Sequence, residues 1–261
     1  MPNKNYPSDL TDSLWEHIRD LLPATKSLGR PRELELRHVV NGILYVVVGG
    51  IQWRMLPRDF PKWQSVYYYF RLWRTSHVWQ CLHDRLRAEV RRAAKRHKHP
   101  TAGCLDSQSV KTTQISGVRG FDAAKNIKGR KRHLLVDTLG LLMSIVVTAA
   151  SVQERDGARL VFESLNGSCK KLRRLWVDGG YRGAPLATWV ALRFHFVLQV
   201  VLRNEERTGF AVLPRRWVVE RTFGWFNLNR RLSKDYEVLT DNSEAMIYIA
   251  MTRLMLRRLK P

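Results

Sequence analysis

Three carboxylates stand out because each ends or interrupts an apolar stretch: Asp106 in GCLDSQ, Asp178 in LWVDGGYRG and Glu220 in RRWVVERTFGWF. Asp106 falls on an alternating segment that reads as a strand, where a structural acid gains nothing from packing. Asp178 falls where an apolar strand gives way to two glycines, the place at which open sheets present their site residues. Glu220 falls in a helical segment with apolar or aromatic residues at 217, 218, 219, 223, 225 and 226, a pattern that predicts burial on nearly every side. A buried carboxylate is costly unless it is paired or binds a cation. Arg216, four residues back, and Arg221 are available as partners, so a purely structural role for Glu220 stays open. If the three acids converge, they can hold two hard divalent cations, which prefer oxygen ligands. Two such ions about 4 Å apart stabilise both the attacking and the leaving oxygen of a phosphodiester displacement.

The other acids beyond residue 100 invite plainer readings. Asp137 reads as a hairpin-turn residue, and Asp122 belongs to the glycine-containing loop ISGVRGFDAAKN. Glu154, Asp156, Glu163, Glu205, Glu206, Asp235, Glu237, Asp241 and Glu244 read as members of polar loops or solvated helix faces. The chain as a whole is strongly basic, with 45 Lys+Arg against 23 Asp+Glu and a formal charge of +22. The excess is +9 over residues 1–100 and +13 over residues 101–261. Such a charge points to a polyanionic partner, nucleic acid first and acidic membrane second. Its spread favours an extended contact surface over one appended arm. A small acidic centre in a basic surface is the charge plan of an enzyme acting on DNA: the surface holds phosphates, and cations offset repulsion between carboxylate and phosphate.

No apolar stretch reaches the eighteen or so residues of a membrane span, and MPNKNYPSDL lacks the apolar region of a signal peptide. Cys81, Cys104 and Cys169 lie far apart and form no CxxC pair, which argues against a disulfide scaffold or structural zinc and for a cytoplasmic protein. His97 and His99 in KRHKHP read as part of a solvated basic turn.

The elements that must position the acids follow from periodicity. LTDSLWEHIRDLL has apolar residues at helical spacing, with Thr11 or Asp12 as cap and Pro23 as stop. ELELRHVVNGILYVVV predicts a buried second helix ended by Gly49-Gly50. KWQSVYYYFRLWRTS predicts a third, with Lys62, Arg71 and Arg74 among six aromatics that suit a helical core. HVWQCLHDRLRAEVRRAAKRHKH predicts a basic fourth helix running out at Pro100. This succession suits a helix-turn-helix-like module over residues 1–97. From residue 98 the pattern turns to strands: TAGCLDSQSV, then KRHLLVDTLGLLMSIVVTA as a hairpin turning around residues 137–140. Helix and strand alternate afterwards through ERDGARLVFESL, LRRLWVD, APLATWVALRF and FHFVLQVVL, ahead of a helical tail from about residue 215. Strands first and alternation later predict a mixed α/β domain, a mixed sheet covered by helices, over residues 98–261.

With these residues in view, the sequence resembles the DDE transposases of bacterial insertion sequences, in the insertion-sequence-5 family. The matching segments are YPSDLTDSLWEHIRDLLP, GGIQWRMLPRDFPKWQSVYYYFRLW, GCLDSQSVKTT, FDAAKNIKGRKRHLLVDTLGLLMSIVVTAASVQERDGA, LWVDGGYRG and RRWVVERTFGWFNLNRRLSKDYE. They stand in the family's order and cover most of the chain. The resemblance implies an RNase-H-like catalytic domain with Asp106 on its first strand, Asp178 after its fourth and Glu220 on a late helix. It implies two magnesium ions per site, replaceable by manganese, held by those three acids. It also implies an N-terminal helical domain that recognises the element's terminal inverted repeats, with double-stranded DNA as partner and a homo-oligomer on DNA.

The family's third acid usually lies in a Tyr-x2-Arg-x3-Glu-x6-Lys signature. Arg216 and Glu220 match it, whereas Leu213 stands at the tyrosine position and Asn227 at the lysine position. Arg230, Arg231 or Lys234 can supply the missing positive charge. Candidate DNA contacts are therefore Lys62, Arg71 and Arg74 in the helical domain, and Lys128, Arg130, Lys131 and Arg132 in IKGRKRH. Arg216, Arg221, Arg230, Arg231 and Lys234 near the third acid complete the set. A solvated basic turn is the competing reading of IKGRKRH. Two functional alternatives also stay open: an inactive transposase-derived DNA-binding protein, and a nuclease of the same fold that cleaves without joining.

Overall fold

The computed structural model describes residues 6–24, 34–114, 117–165, 169–202 and 215–259. The chain divides into two compact units. One comprises Met1–Ala94, Phe226–Ser233 and Ala245–Pro261, the other Lys95–Trp225 and Lys234–Glu244. The change of unit near residue 95 lies close to the change of pattern in the sequence, but two C-terminal segments count with the N-terminal one.

The first unit is helical. α1 (Asp12–Glu16) is capped by the Thr11 hydroxyl, which accepts from Leu14 N–H, and a 3-10 turn (Arg19–Leu21) follows. α2 (Leu36–Gly49) buries Val39, Val40, Ile43, Val46 and Val47 and stops at Gly50, whose φ of 70° gives the left-handed C-cap. α3 (Trp63–Thr75) buries Val66, Phe70 and Trp73, while Lys62, Tyr68 and Arg71 face solvent. Phe70 and Trp73 are thus core, as their suitability for helical packing predicts, while Trp63, Tyr67 and Tyr69 are only partly buried. α4 (Val78–Ala93) ends before the KRHKH run instead of including it. α8 (Thr240–Leu259) belongs to this unit from Ala245 onward, with Met246, Ile247, Ile249, Met251 and Met255 buried. Tyr248 of α8 meets His83 of α4 edge to face, ring centroids 5.3 Å apart.

The second unit is built on a six-stranded mixed sheet. β1 (Ala102–Lys111) and β3 (Ile127–Asp137) pair antiparallel from Gly103↔Asp137 to Lys111↔Gly129. On the other side of β3, the short β2 (Gly120–Asp122) pairs with its first residues and β4 (Leu142–Ala149) with the remainder. β5 (Arg174–Val177) joins β1 in parallel and β6 (Val197–Val200) joins β5 in parallel. Antiparallel strands on one side and parallel strands on the other make the mixed sheet that the strand-then-alternation pattern predicts. α5 (Glu154–Ser164) and α6 (Ala184–Phe194) contribute Val161, Phe162, Leu186 and Val190 to a core shared with Leu105, Leu135 and Leu175. Gly157 lets α5 close on β3: a Cβ there would lie 2.0 Å from the His133 ring. The tail is two helices rather than one, α7 (Trp217–Phe226) and α8, with a 3-10 turn (Arg230–Leu232) between them.

Candidate active site

The register of the two parallel strands brings the first two acids together. Cys104 of β1 pairs with Trp176 of β5. Two residues further along each strand stand Asp106 and Asp178, and period-2 alternation returns both side chains to the face of that pair. Asp106 remains on β1, its Oδ1 accepting from Ser107 N–H at 2.7 Å. Asp178 lies just past β5 as the cap of a 3-10 turn (Gly179–Tyr181), its Oδ1 accepting from Gly180 N–H at 2.9 Å. Both remaining Oδ2 atoms face one nitrogen, Nη2 of Arg216, at 3.4 Å from Asp106 and 3.7 Å from Asp178.

Arg216 is held there by its neighbour. The Arg215 carbonyl accepts from Cys104 Sγ at 3.0 Å, and the Arg215 guanidinium lies 4.8 Å from the Trp176 ring centroid. The residue before Arg216 is thus tied to the same Cys104–Trp176 pair that sets the acids in register. Burial, then repulsion from Asp178, pushes the Asp106 carboxyl up to about 6, against the smaller opposing pull of Ser107 N–H and Arg216. Two carboxylates kept together at this cost, with one guanidinium between them, form a place suited to a cation.

Glu220 is not brought into that pair. It is exposed on α7, and among the described residues no group of three His, Cys, Asp or Glu side chains could hold a metal ion. The predicted burial fails because α7 buries one stripe, Val218, Val219, Thr222 and Phe226. Trp217, Glu220 and Gly224 share the opposite face, and a Cβ at Gly224 would meet nothing within 4 Å. Arg221 does not serve Glu220 either: its guanidinium stacks on Trp217 and Trp225, at 4.5 and 4.8 Å, and donates to the Leu139 carbonyl.

An acid that reads as solvated from the sequence lies beside the pair. Glu154, the first residue of α5, accepts from Ser107 Oγ at 3.0 Å and pairs with Lys125 at 3.7 Å. Its Oε2 lies so close to Gly180 that a Cβ there would stand 2.0 Å away, which explains the second glycine of DGGY. Tyr181 is only 2% exposed, with its hydroxyl close to Ser107. Burial and then the charges of Asp106, Glu154 and Asp178 hold its pKa well above the ordinary value. The sequence signal that could have flagged Glu154 is its position in the first turn of the helix entered from β4, beside the glycine that packs that helix on the sheet.

A transposase DDE-domain family model matches residues 97–255, which hold both paired acids and Glu220. The chain belongs to that family. A second model, described as "Putative transposase of IS4/5 family", matches residues 10–83. A similar protein from Burkholderia cepacia, the "Insertion element IS402 uncharacterized 16.2 kDa protein", is 36% identical over 90 residues. That alignment covers 32% of this chain, and the chain spans 61% of that relative's length. No solved structure matches. The family's catalytic domain has an RNase-H-like fold, in keeping with the mixed sheet, and its members generally use divalent metals.

The basic candidates divide by burial. IKGRKRH is neither a turn nor, past Gly129, a surface. Arg130, Lys131 and Arg132 lie buried in the middle of β3, because the strand is covered on both faces. Arg130 is spent on Asp235 at 3.0 Å, Ser243 and the carbonyls of Val118 and Val238. Lys131 pairs with Asp122 at 3.3 Å, and Arg132 donates to Gln108 and the Lys234 carbonyl. Burial pushes the Arg132 guanidinium down to about 10. Arg231 is buried too and donates to the Ile51 carbonyl. Lys62, Arg71, Lys128, Arg230 and Lys234 are exposed, and Arg74 is half-buried. Asn227 is exposed, while Leu213 lies outside the described residues. Among the described residues no helix is long and apolar enough to cross a membrane.

Proposed function

We propose that this chain moves a DNA insertion element: it binds the terminal inverted repeats, cuts DNA at the element's ends and joins the freed 3′-hydroxyls to target DNA. The observation that carries this reading is the convergence of Asp106 and Asp178, from matched positions beside two parallel strands, on one nitrogen of Arg216. The donors are carboxylate oxygens, which suit a hard divalent cation, and the guanidinium occupies the place a cation would take. Asp106 and Asp178 would hold two magnesium ions, or manganese, with Glu220 as the third acid from the open face of α7. Bound there, such ions acidify the attacking hydroxyl and stabilise the departing oxygen.

Around that centre the chain's own residues set the stage. Ser107 and Glu154 fix β1 against α5, so that Asp106 cannot swing away from Asp178. Arg216 offsets the acids' charge before DNA arrives and would turn to a phosphate once cations hold the acids. At the element end a water oxygen bonds to phosphorus while the bond from phosphorus to the 3′ oxygen breaks. A 3′-hydroxyl is left on the element and a 5′-phosphate on the flank. That 3′ oxygen then attacks a target phosphodiester; one P–O bond forms, one breaks, and the attacking hydroxyl's proton ends on the departing 3′ oxygen. No covalent link to protein is needed. Lys62 and Arg71, outward on α3, are assigned to the repeat, and Lys128, Arg230 and Lys234 to phosphates. Two element ends call for two active sites, hence a homo-oligomer on DNA, acting in the cytoplasm.

The test is a strand-transfer assay with purified chain, matched terminal repeats, target plasmid and magnesium. Joined products are expected, and none in the presence of a chelator. Cleavage without joining would make the chain a nuclease, and binding without cleavage a DNA-binding remnant.

A further inference from the structure

Beyond the end of β1, the strand that carries Asp106, a groove of about 490 Å³ opens among Lys111, Gln114, Arg119, Phe121, Asn126 and Lys128. Among the described residues the lining, which also includes Thr112 and Thr113, contains three cations, two carboxamides, one aromatic ring and no acid. Phe121 is 53% exposed, and among the described residues its ring meets no other ring and no guanidinium. That exposure is built in. The next residue, Asp122, is buried and accepts from Ser109 Oγ, Lys125 N–H and the Lys131 ammonium. Alternation along β2 then turns Phe121 to the opposite face. Phe121 pairs across the strands with Lys128, so a cation stands beside the ring on a fixed β-ribbon. Gly120 locks the ribbon from behind, since a Cβ there would collide with Ser151.

We propose that this groove binds an unpaired nucleobase of a DNA strand, stacked on Phe121, with the flanking phosphates on Lys111, Arg119 and Lys128. A flat ring among cations, without an acid to repel phosphate, is the arrangement that holds single strands: stacking accepts any base, and the cations track the backbone. Gln114 and Asn126 offer donors and acceptors to a base edge, which in a paired base is occupied by its complement. Duplex DNA lacks the free base face that the ring needs. The inference rests on the DNA-processing reading and adds to it that part of the substrate is held unpaired.

The experiment measures affinity of the full chain, by fluorescence anisotropy, for a single-stranded oligonucleotide and for the same sequence as a blunt duplex. A 2-aminopurine in the single strand reports stacking. Phe121→Ala should weaken single-strand binding about ten-fold and abolish 2-aminopurine quenching, while changing duplex affinity less than about two-fold. Phe121→Tyr should keep both; Phe121→Leu, which preserves apolar bulk without a ring face, should behave as the alanine variant. Equal losses on single strand and duplex, no loss on either, or preference for an RNA strand would overturn the proposal. A chain that shows the contrast but fails to transfer strands defeats the transposition reading alone. One that transfers strands but binds single strands equally with and without the ring defeats the groove alone.

Discussion

Asp106→Asn should make the protein inactive and more stable at once. The rise of the Asp106 carboxyl from 3.8 to about 6 corresponds to about 3 kcal/mol between its two protonation states. Because the folded-state value is the higher one, this group favours folding below about pH 4, and that contribution is lost as pH climbs through about 6. At pH 8 the wild-type chain therefore carries the whole penalty of an ionised acid beside Asp178. Asparagine keeps an oxygen to accept from Ser107 N–H but removes the charge. Relative to wild type, the variant should gain about 3 kcal/mol between pH 4 and pH 8. In thermal melts without metal that is roughly 6 to 12 °C of Tm at pH 8, shrinking toward zero near pH 4. Magnesium should recover part of the difference by stabilising wild type and not the variant. A gap that stays constant from pH 4 to pH 8, or a variant less stable than wild type at pH 8, would refute the reasoning.

Asp178→Asn and Glu220→Gln should keep salt-dependent DNA binding and lose cleavage and joining by several orders of magnitude. Asp137→Asn should keep activity per folded molecule, because Asp137 Oδ1 serves the N–H groups of Leu139 and Leu141 in the turn; gel assays on one substrate compare all three. Glu154→Gln should lower single-turnover cleavage by about 10- to 100-fold with DNA affinity retained, as expected for a residue that orients the site through Ser107. Arg130→Met should destabilise the fold by about 3 to 5 kcal/mol in denaturant unfolding, since it strands Asp235 in the interior. Residues 98–261 expressed without the rest should aggregate or bind a hydrophobic dye, because the segment of α8 from Ala245 belongs to the first unit and carries buried apolar residues.

What was legible in the sequence was whatever a local rule determines. Gly50 ends α2 because only a left-handed residue closes that helix, Asp137 makes the hairpin turn, and Asp178 precedes the glycines where β5 stops. What escaped depends on residues far apart in the chain. β2 has three residues, too few for a period, and is held by Asp122 reaching Ser109 and Lys131. Arg130 is indistinguishable from a surface cation until Asp235, 105 residues on, arrives to pair with it. Glu154 lacks an apolar lead-in and joins the site only through the packing of α5 on β3. The burial expected of Glu220 fails for the opposite reason: a run rich in tryptophan and phenylalanine suggests burial all round, although α7 buries one stripe and leaves Trp217 39% exposed.

The first unit is assembled from both ends of the chain: its early helices wait for residues 226–233 and 245–259. On the ribosome, at about 5 to 20 residues per second, those last segments arrive roughly 7 to 33 seconds after residue 94 has been joined. For that interval His83 of α4 lacks the Tyr248 ring and the Ile51 carbonyl lacks Arg231, while the strands of the second unit emerge and pair. If the repeats are read by this unit, DNA recognition is the last competence the protein acquires. A chain cut short by early termination then lacks a finished reader, and does not compete with complete molecules for the element's ends.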